Sequence, residues 1–218
     1  LDAVHREGIT AITAEQVIAA RKAGYVVKLL AICERVLNAD GGIDGVSARV
    51  HPALVPLTHP LAAVHGANNA VFVEAEAAGS LMFYGAGAGG LETASAVLGD
   101  VVSAARRHVI GGPGVAESTH ANLPILPIAR VMTRYQITLT VVDEPGVLAT
   151  IAGVFSDHHV SVEAVSQTVG AVIEGAPSAT LVTVTHEATD ESLAATVAAL
   201  AENAVVREVV SVLRVEGL

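Results

Sequence analysis

At 218 residues the chain can hold one large domain or two modest ones, each with a core of its own. It is 52% hydrophobic but only 3% aromatic, with no Trp, which is the palette of an α/β protein built from Ala, Val, Ile and Leu and excludes a disordered or disulfide-stapled chain. The net charge of -10, with no basic run longer than Arg106-Arg107, excludes nucleic acid as a main partner; no apolar run is long enough to span a bilayer and no basic-then-apolar signal opens the sequence, so a cytoplasmic protein is expected.

In chain order, Thr13-Ala14-Glu15-Gln16 reads as a capping box with Thr13 as N-cap. Val17, Ala20 and Ala23 then make a modest apolar stripe, and Gly24 ends the helix. Tyr25 to Val36 is a strand; its Lys28 is expected to keep its head in water rather than act in catalysis, and the sole cysteine, Cys33, is expected to pack in the interior. Asn38 to Asp44 is a turn, and Gly45 to His51 completes a hairpin. Pro52, Pro56 and Pro60 are expected to break the chain into an irregular stretch.

Ala70 to Ala75 and Ser80 to Tyr84 form further strands, and the second runs straight into Gly85-Ala86-Gly87-Ala88-Gly89-Gly90 and a helix over Thr93 to Arg107. Strand, glycine turn and helix in succession leave free amides at a helix start, where an anion is favoured. Gly85, Gly87 and Gly90 satisfy a G-x-G-x-x-G spacing, but no strand ending in an acidic residue follows, so a self-sufficient dinucleotide domain is not expected. Two readings stay open, a ligand-contacting loop and a tight turn that lets a helix lie close on a sheet.

Gly8-Ile9-Thr10, Val27 through Arg35, Val50 through Pro56, His59-Pro60-Leu61-Ala62, and Tyr84 through Gly89 with Thr93 to Asp100 together resemble homoserine dehydrogenase, in order, from about residue 7 to about residue 107. The resemblance implies the rear of that family's catalytic and dimerisation domain, which packs on an N-terminal NAD(P)-binding Rossmann domain expected to be absent here. It implies a contact with NADP or NAD at Gly89, with Gly87 as its neighbour, and no catalytic residue in this chain. Glu92 departs from the family, which commonly has proline there.

His108 to Ala129 is rich in Gly and Pro and reads as a boundary, giving residues 1–110 as the dehydrogenase portion, 111–132 as linker and 133–218 as a second domain. In that domain Ile137, Leu139 and Val141 alternate with Thr138 and Thr140 as a half-buried strand. Asp143 is expected to cap a helix carrying Val147, Leu148, Ile151 and Phe155. Val160 to Val169 and Ala179 to His186 are strands around a loop at Glu174 to Pro177; Thr189 opens a second helix and Val205 to Val215 closes as a strand. The order βαββαβ predicts a ferredoxin-like fold, so the fold class is α/β (α+β) with a mixed-sheet portion followed by this module.

That order and the strand-Asp-Glu-Pro-Gly-Val-Leu-helix signature resemble the ACT domain, an amino-acid-binding regulatory module. The resemblance implies an effector, threonine in many such enzymes, held by Asp143, Pro145, Gly146, Val147 and Leu148 with Val160 and Ser161 from the second strand. It also implies a homo-oligomer, a dimer or tetramer, through paired sheet edges. Adjacent His158 and His159 do not converge as metal ligands would, and no metal site is expected. Two alternatives remain: a stand-alone amino-acid-binding regulatory module, and a purely structural oligomerisation piece.

Overall fold

In the computed structural model, which describes residues 3–111, 122–170 and 177–217, the chain runs through ten strands and four α-helices among the described residues. In order these are β1 (His5–Arg6), α1 (Ala14–Lys22), β2 (Tyr25–Leu37), β3 (Ile43–Pro56), β4 (Asn68–Ala75), β5 (Gly79–Ala86), α2 (Gly90–Ile110), β6 (Met132–Val142), α3 (Val147–Asp157), β7 (Val162–Val169), β8 (Ser178–Thr185), β9 (Ala188–Thr189), α4 (Asp190–Glu202) and β10 (Val206–Val215). Residues 112–121 of the expected linker and the loop residues 174–176 lie outside the described residues. Leu1–Pro56 and Leu123–Leu218 form one compact unit, and Leu57–Asn122 forms another.

The first unit is built on a single eight-stranded sheet in the order β1-β3-β10-β6-β8-β7, with β2 on β3 and β9 on β6. β3 is its hub. One edge carries β2, paired antiparallel from Tyr25 against Pro56 to Leu37 against Ile43. The other edge is served in series by three short parallel partners: Ile125 at Val46, β1 at Arg49 and Val50, and β10 at Ala53 and Leu54. Sequence elements more than a hundred residues apart are thereby fused into one sheet.

This serial pairing explains why the prolines did not end β3 as expected. The backbone groups of Val46, Val50 and Leu54 face the shared edge, bonding Pro124, Leu126, Glu7 and Glu216. Pro52 falls on the same side by the two-residue period, in the gap between β1 and β10, where no partner needs its missing N–H. Pro56 falls on that side at the strand's last position. The hairpin is therefore longer than the turn chemistry suggested.

Residues 132–215 form the expected ferredoxin-like module, with β10-β6-β8-β7 antiparallel throughout. Tyr135, Ile137, Leu139 and Val141 of β6 and Leu181 of β8 pack on Ile151 and Phe155 of α3 and Leu193 and Leu200 of α4. A smaller core puts Ala20 of α1 against Leu54, Leu213 and Val215. Arg214 pairs with Tyr135 and its neighbour Val215 packs under α1, so α1 and the α3/α4 pair cover opposite faces of the sheet. Cys33 is exposed, against expectation. The α1 core reaches only the Tyr25–Val27 end of β2, and Cys33 lies beyond that cover.

The second unit contains the β4–β5 hairpin, paired from Asn68 with Ala86 to Ala75 with Gly79, and the 21-residue helix α2. Phe72 of β4 makes an edge-to-face contact with His59 at 4.7 Å. No residue of α2 is buried.

Candidate functional site

The glycine turn joins β5 to α2 as the sequence predicted, and its glycines have distinct roles. A Cβ at Gly87 would lie 1.9 Å from Nδ2 of Asn69, because the Gly87 N–H bonds the Ala67 carbonyl at 2.8 Å and brings the two segments together. Gly89 caps α2 with φ +138, a backbone that side chains rarely adopt. Gly85 and Gly90 have nothing within 4 Å of a built Cβ, so the G-x-G-x-x-G spacing is not what constrains this loop.

No side chain caps the first turn of α2, so its amides have no side-chain partner. The carboxylate of Glu92 folds back over the cap, with Oε2 2.1 Å from where a Gly89 Cβ would stand. Asn69 and Glu92 thus fill the hollows that Gly87 and Gly89 leave. Glu92 is a flexible, exposed side chain, so a phosphate could reach the Gly89 backbone once it swings aside. Its negative charge nevertheless favours the dipole in the phosphate's place. The backbone fits a cofactor phosphate, and the residue that departs from the family competes with it.

The second candidate site lies at the start of α3. Gly146, in the left-handed conformation at φ 93, is the N-cap and supplies no side chain, so Asp143 does not cap the helix as expected. Asp143 is held instead by Nε2 of Gln167, which donates to its Oδ1 at 3.3 Å, and its own N–H donates to the Pro177 carbonyl. Pro145 and Leu148 are exposed beside this uncapped first turn, while Val147 packs on the core. The amides of this first turn have no side-chain cap, and the Asp143 carboxylate lies three residues before the Gly146 cap.

Val160 and Ser161 are elsewhere. Val142, next to Asp143, pairs with Ser178, whereas Val162 pairs with Thr185 at the other end of β8, a separation of roughly 23 Å along the strand. Val160 is 4% exposed and belongs to the core, and the Ser161 carbonyl accepts the N–H of His186. Within one copy, therefore, the expected effector residues form two groups at opposite ends of the module.

A buried charged row on the α4 face of the joined sheet has no signature in the sequence. Arg214 of β10 donates through Nε and Nη2 to Oδ1 of Asp190 at 3.0 and 2.7 Å, and through Nη1 to Glu7 at 2.5 Å. The Tyr135 hydroxyl donates to the same Asp190 oxygen at 2.8 Å, and the Arg214 guanidinium lies 5.4 Å from the Tyr135 ring centre. Burial raises the Tyr135 hydroxyl well above its ordinary value. Burial works against the charge on Arg214, but Tyr135, Asp190 and Glu7 more than offset it and its pKa rises. Burial would raise Glu7 too, yet its bonds to His5 and Arg214 bring it below the usual carboxylate value.

Beside this group Arg49, 1% exposed, bonds Glu34, Ser47 and Glu216. His51 is fully buried; its Nδ1 meets the Pro52 carbonyl at 3.2 Å, and its Nε2 lies 3.5 Å from Glu216 without making a hydrogen bond. Burial holds the His51 imidazole down at about 4 and pushes Glu216 up. Charged residues scattered along four strands give no periodic signal; only their meeting in space reveals the row. Among the described residues no group of His, Cys, Asp and Glu is arranged to hold a metal ion, and no helix is long and apolar enough to cross a membrane.

Comparison with known proteins places these features in a family context. Residues 1–102 match the homoserine dehydrogenase family profile and residues 135–205 the ACT domain profile. The homoserine dehydrogenase of Mycobacterium leprae is 54% identical over 219 residues, covering 100% of this chain and 49% of the relative; that of Bacillus subtilis is 36% identical, covering 100% and 48%. The crystal structure of a homoserine dehydrogenase from Thiobacillus denitrificans superposes with a TM-score of 0.86 at 34% identity, covering 99% of this chain and 48% of that one. The chain spans about half the length of the curated relatives it matches.

Proposed function

The chain belongs to the homoserine dehydrogenase family, and on that premise we propose that it contributes one wall of an NAD(P)-dependent oxidoreductase site together with an amino-acid sensor for feedback. The whole enzyme interconverts L-homoserine and L-aspartate 4-semialdehyde in the cytoplasm, with the nicotinamide supplying or taking the hydride. The Gly89 backbone and the first amides of α2 orient the cofactor, with Gly87 letting the loop approach closely. The domain division is that of the sequence reading: 1–110 dehydrogenase portion, 111–132 linker and 133–218 sensor.

The observation that carries the sensor reading is the uncapped start of α3 at Gly146 beside Asp143, in a chain that matches both family profiles. We assign threonine as effector, its carboxylate at those amides and its ammonium group at Asp143. Ser161 joins the same site only from a second copy. β7 is an edge strand with nearly every residue exposed, and pairing it antiparallel with its symmetry mate sets the Ser161 end of one copy beside the Asp143 end of the other. A homodimer, or a tetramer built from it, follows.

On this reading none of the groups that transfer hydride is among these 218 residues. The test is an NADPH-linked aspartate-semialdehyde reduction assay on the chain by itself. No turnover is expected, and robust turnover would contradict the assignment.

A further inference from the structure

We propose that Arg214 is the clasp through which effector occupancy in the sensor is felt by residues 1–56, bridging Glu7 after β1 and Asp190 at the start of α4. The inference deepens the sensor reading and rests on it for the identity of the signal, though the clasp itself is a feature of the fold.

Residues 132–216 and residues 1–56 share little backbone pairing. β10 pairs with β3 at only two positions, Arg214 with Ala53 and Val215 with Leu54, and one further bond runs from the Glu216 N–H to the Leu54 carbonyl. Two buried arginines span that seam: Arg49 of β3 holds Glu216, and Arg214 of β10 reaches the other way. Its Nη1 holds Glu7, 207 positions away in sequence, and its Nε and Nη2 hold Asp190. Arg214 and Asp190 are both buried, and a buried charge that loses its partner is strongly destabilised, so a displacement on one side has to be followed on the other.

A continuous set of bonds connects the clasp to the effector site. The Ser161 carbonyl accepts from the His186 N–H; the chain then passes through β9, which pairs with Met132 and Thr133, into Asp190, whose N–H donates to the Val131 carbonyl. Asp190 Oδ1 receives Tyr135 and Arg214 together. Beyond Arg214, Glu7 bonds the Val50 carbonyl and His5 pairs with Arg49 in β3. A ligand that draws on Ser161 therefore pulls on His186, and the next fixed point of that strand is the clasp. The contacts run without a gap from one side to the other, and the exchange experiment below tests whether they carry coupling.

The test is hydrogen exchange by mass spectrometry on the full 218-residue chain, comparing wild type with Glu7→Gln, which removes the outer charge and leaves the Arg214–Asp190–Tyr135 group intact. Without ligand, exchange in segments 186–193 and 208–215 is expected to rise about tenfold in Glu7→Gln, with α1 unchanged. Asp44→Asn, which breaks the exposed Asp44–Arg130 pair in the same unit, should leave the sensor unchanged. With threonine, wild type should change exchange at 4–10 and 46–54, and Glu7→Gln should bind threonine without that change. An unaltered sensor in Glu7→Gln, a uniform rise that includes α1, or the same pattern in Asp44→Asn would each overturn the clasp. If threonine does not bind wild type, the effector assignment fails while the ligand-free comparison still decides the clasp.

Discussion

Helices α2 and α3 carry apolar stripes of the same kind, and they differ in what covers them. In α3, Ile151 and Phe155 are 2% and 1% exposed against the sheet; in α2, Leu98 and Val101 are 61% and 56% exposed. β5 repeats the contrast with β6: Leu81, Phe83 and Tyr84 are exposed, while Ile137 and Leu139 are fully buried. An amphipathic pattern states that a partner exists without saying which polypeptide supplies it. The 132–215 module finds its partners within the chain. β5 and α2 present apolar surface of the sort that an interface covers.

The largest effect that sharpens this contrast is a pair of truncations. Phe155→Ala should cost about 3–5 kcal/mol in urea denaturation of the chain, because a fully buried ring is replaced by a cavity. Leu98→Ala should change stability by less than about 0.5 kcal/mol, since that side chain is mostly in water already. Equal costs would mean that α2 is packed after all.

A smaller effect separates the seam from both regions. His51 has a folded-state pKa of about 4, below the 6.5 of the unfolded chain, because burial disfavours the imidazolium. Its contribution to stability is therefore full above pH 6.5 and is lost as pH falls towards about 4, where the unfolded state takes up the proton first. Glu216, raised by burial, acts with opposite sign: it favours the folded state on the acid side and loses that contribution as pH rises through its folded value. His51→Gln retains Glu216, so the wild-type urea midpoint should fall more steeply than that of the variant between pH 6.5 and 4. Parallel pH profiles would show that His51 is not buried neutral.

The elements legible in the sequence are those whose signals are local. The Thr13 capping box is present in both directions, with Gln16 bonding back to the Thr13 N–H, and the βαββαβ order reads directly from period-2 and period-3.6 patterns. The glycine turn was also visible, and at Gly87 and Gly89 it is a place where a side chain does not fit. What escaped is non-local. No pattern in β3 announces that one edge will be shared by three segments, so Pro52 read as a break although it falls in a gap between partners. Arg49 and Arg214 carry no local signal because their partners, Glu216 and Glu7, are 167 and 207 positions distant. Ser161 was grouped with Asp143 by family likeness, while strand register sets them at opposite ends of β8.

The most direct measurement of the whole account is a calorimetric titration of threonine into the 218-residue chain, run beside Asp143→Ala. A saturable heat in the wild type that disappears in the variant is the predicted result. An absence of heat for threonine and for every other amino acid, or undiminished binding by Asp143→Ala, would contradict a sensor built on the α3 turn.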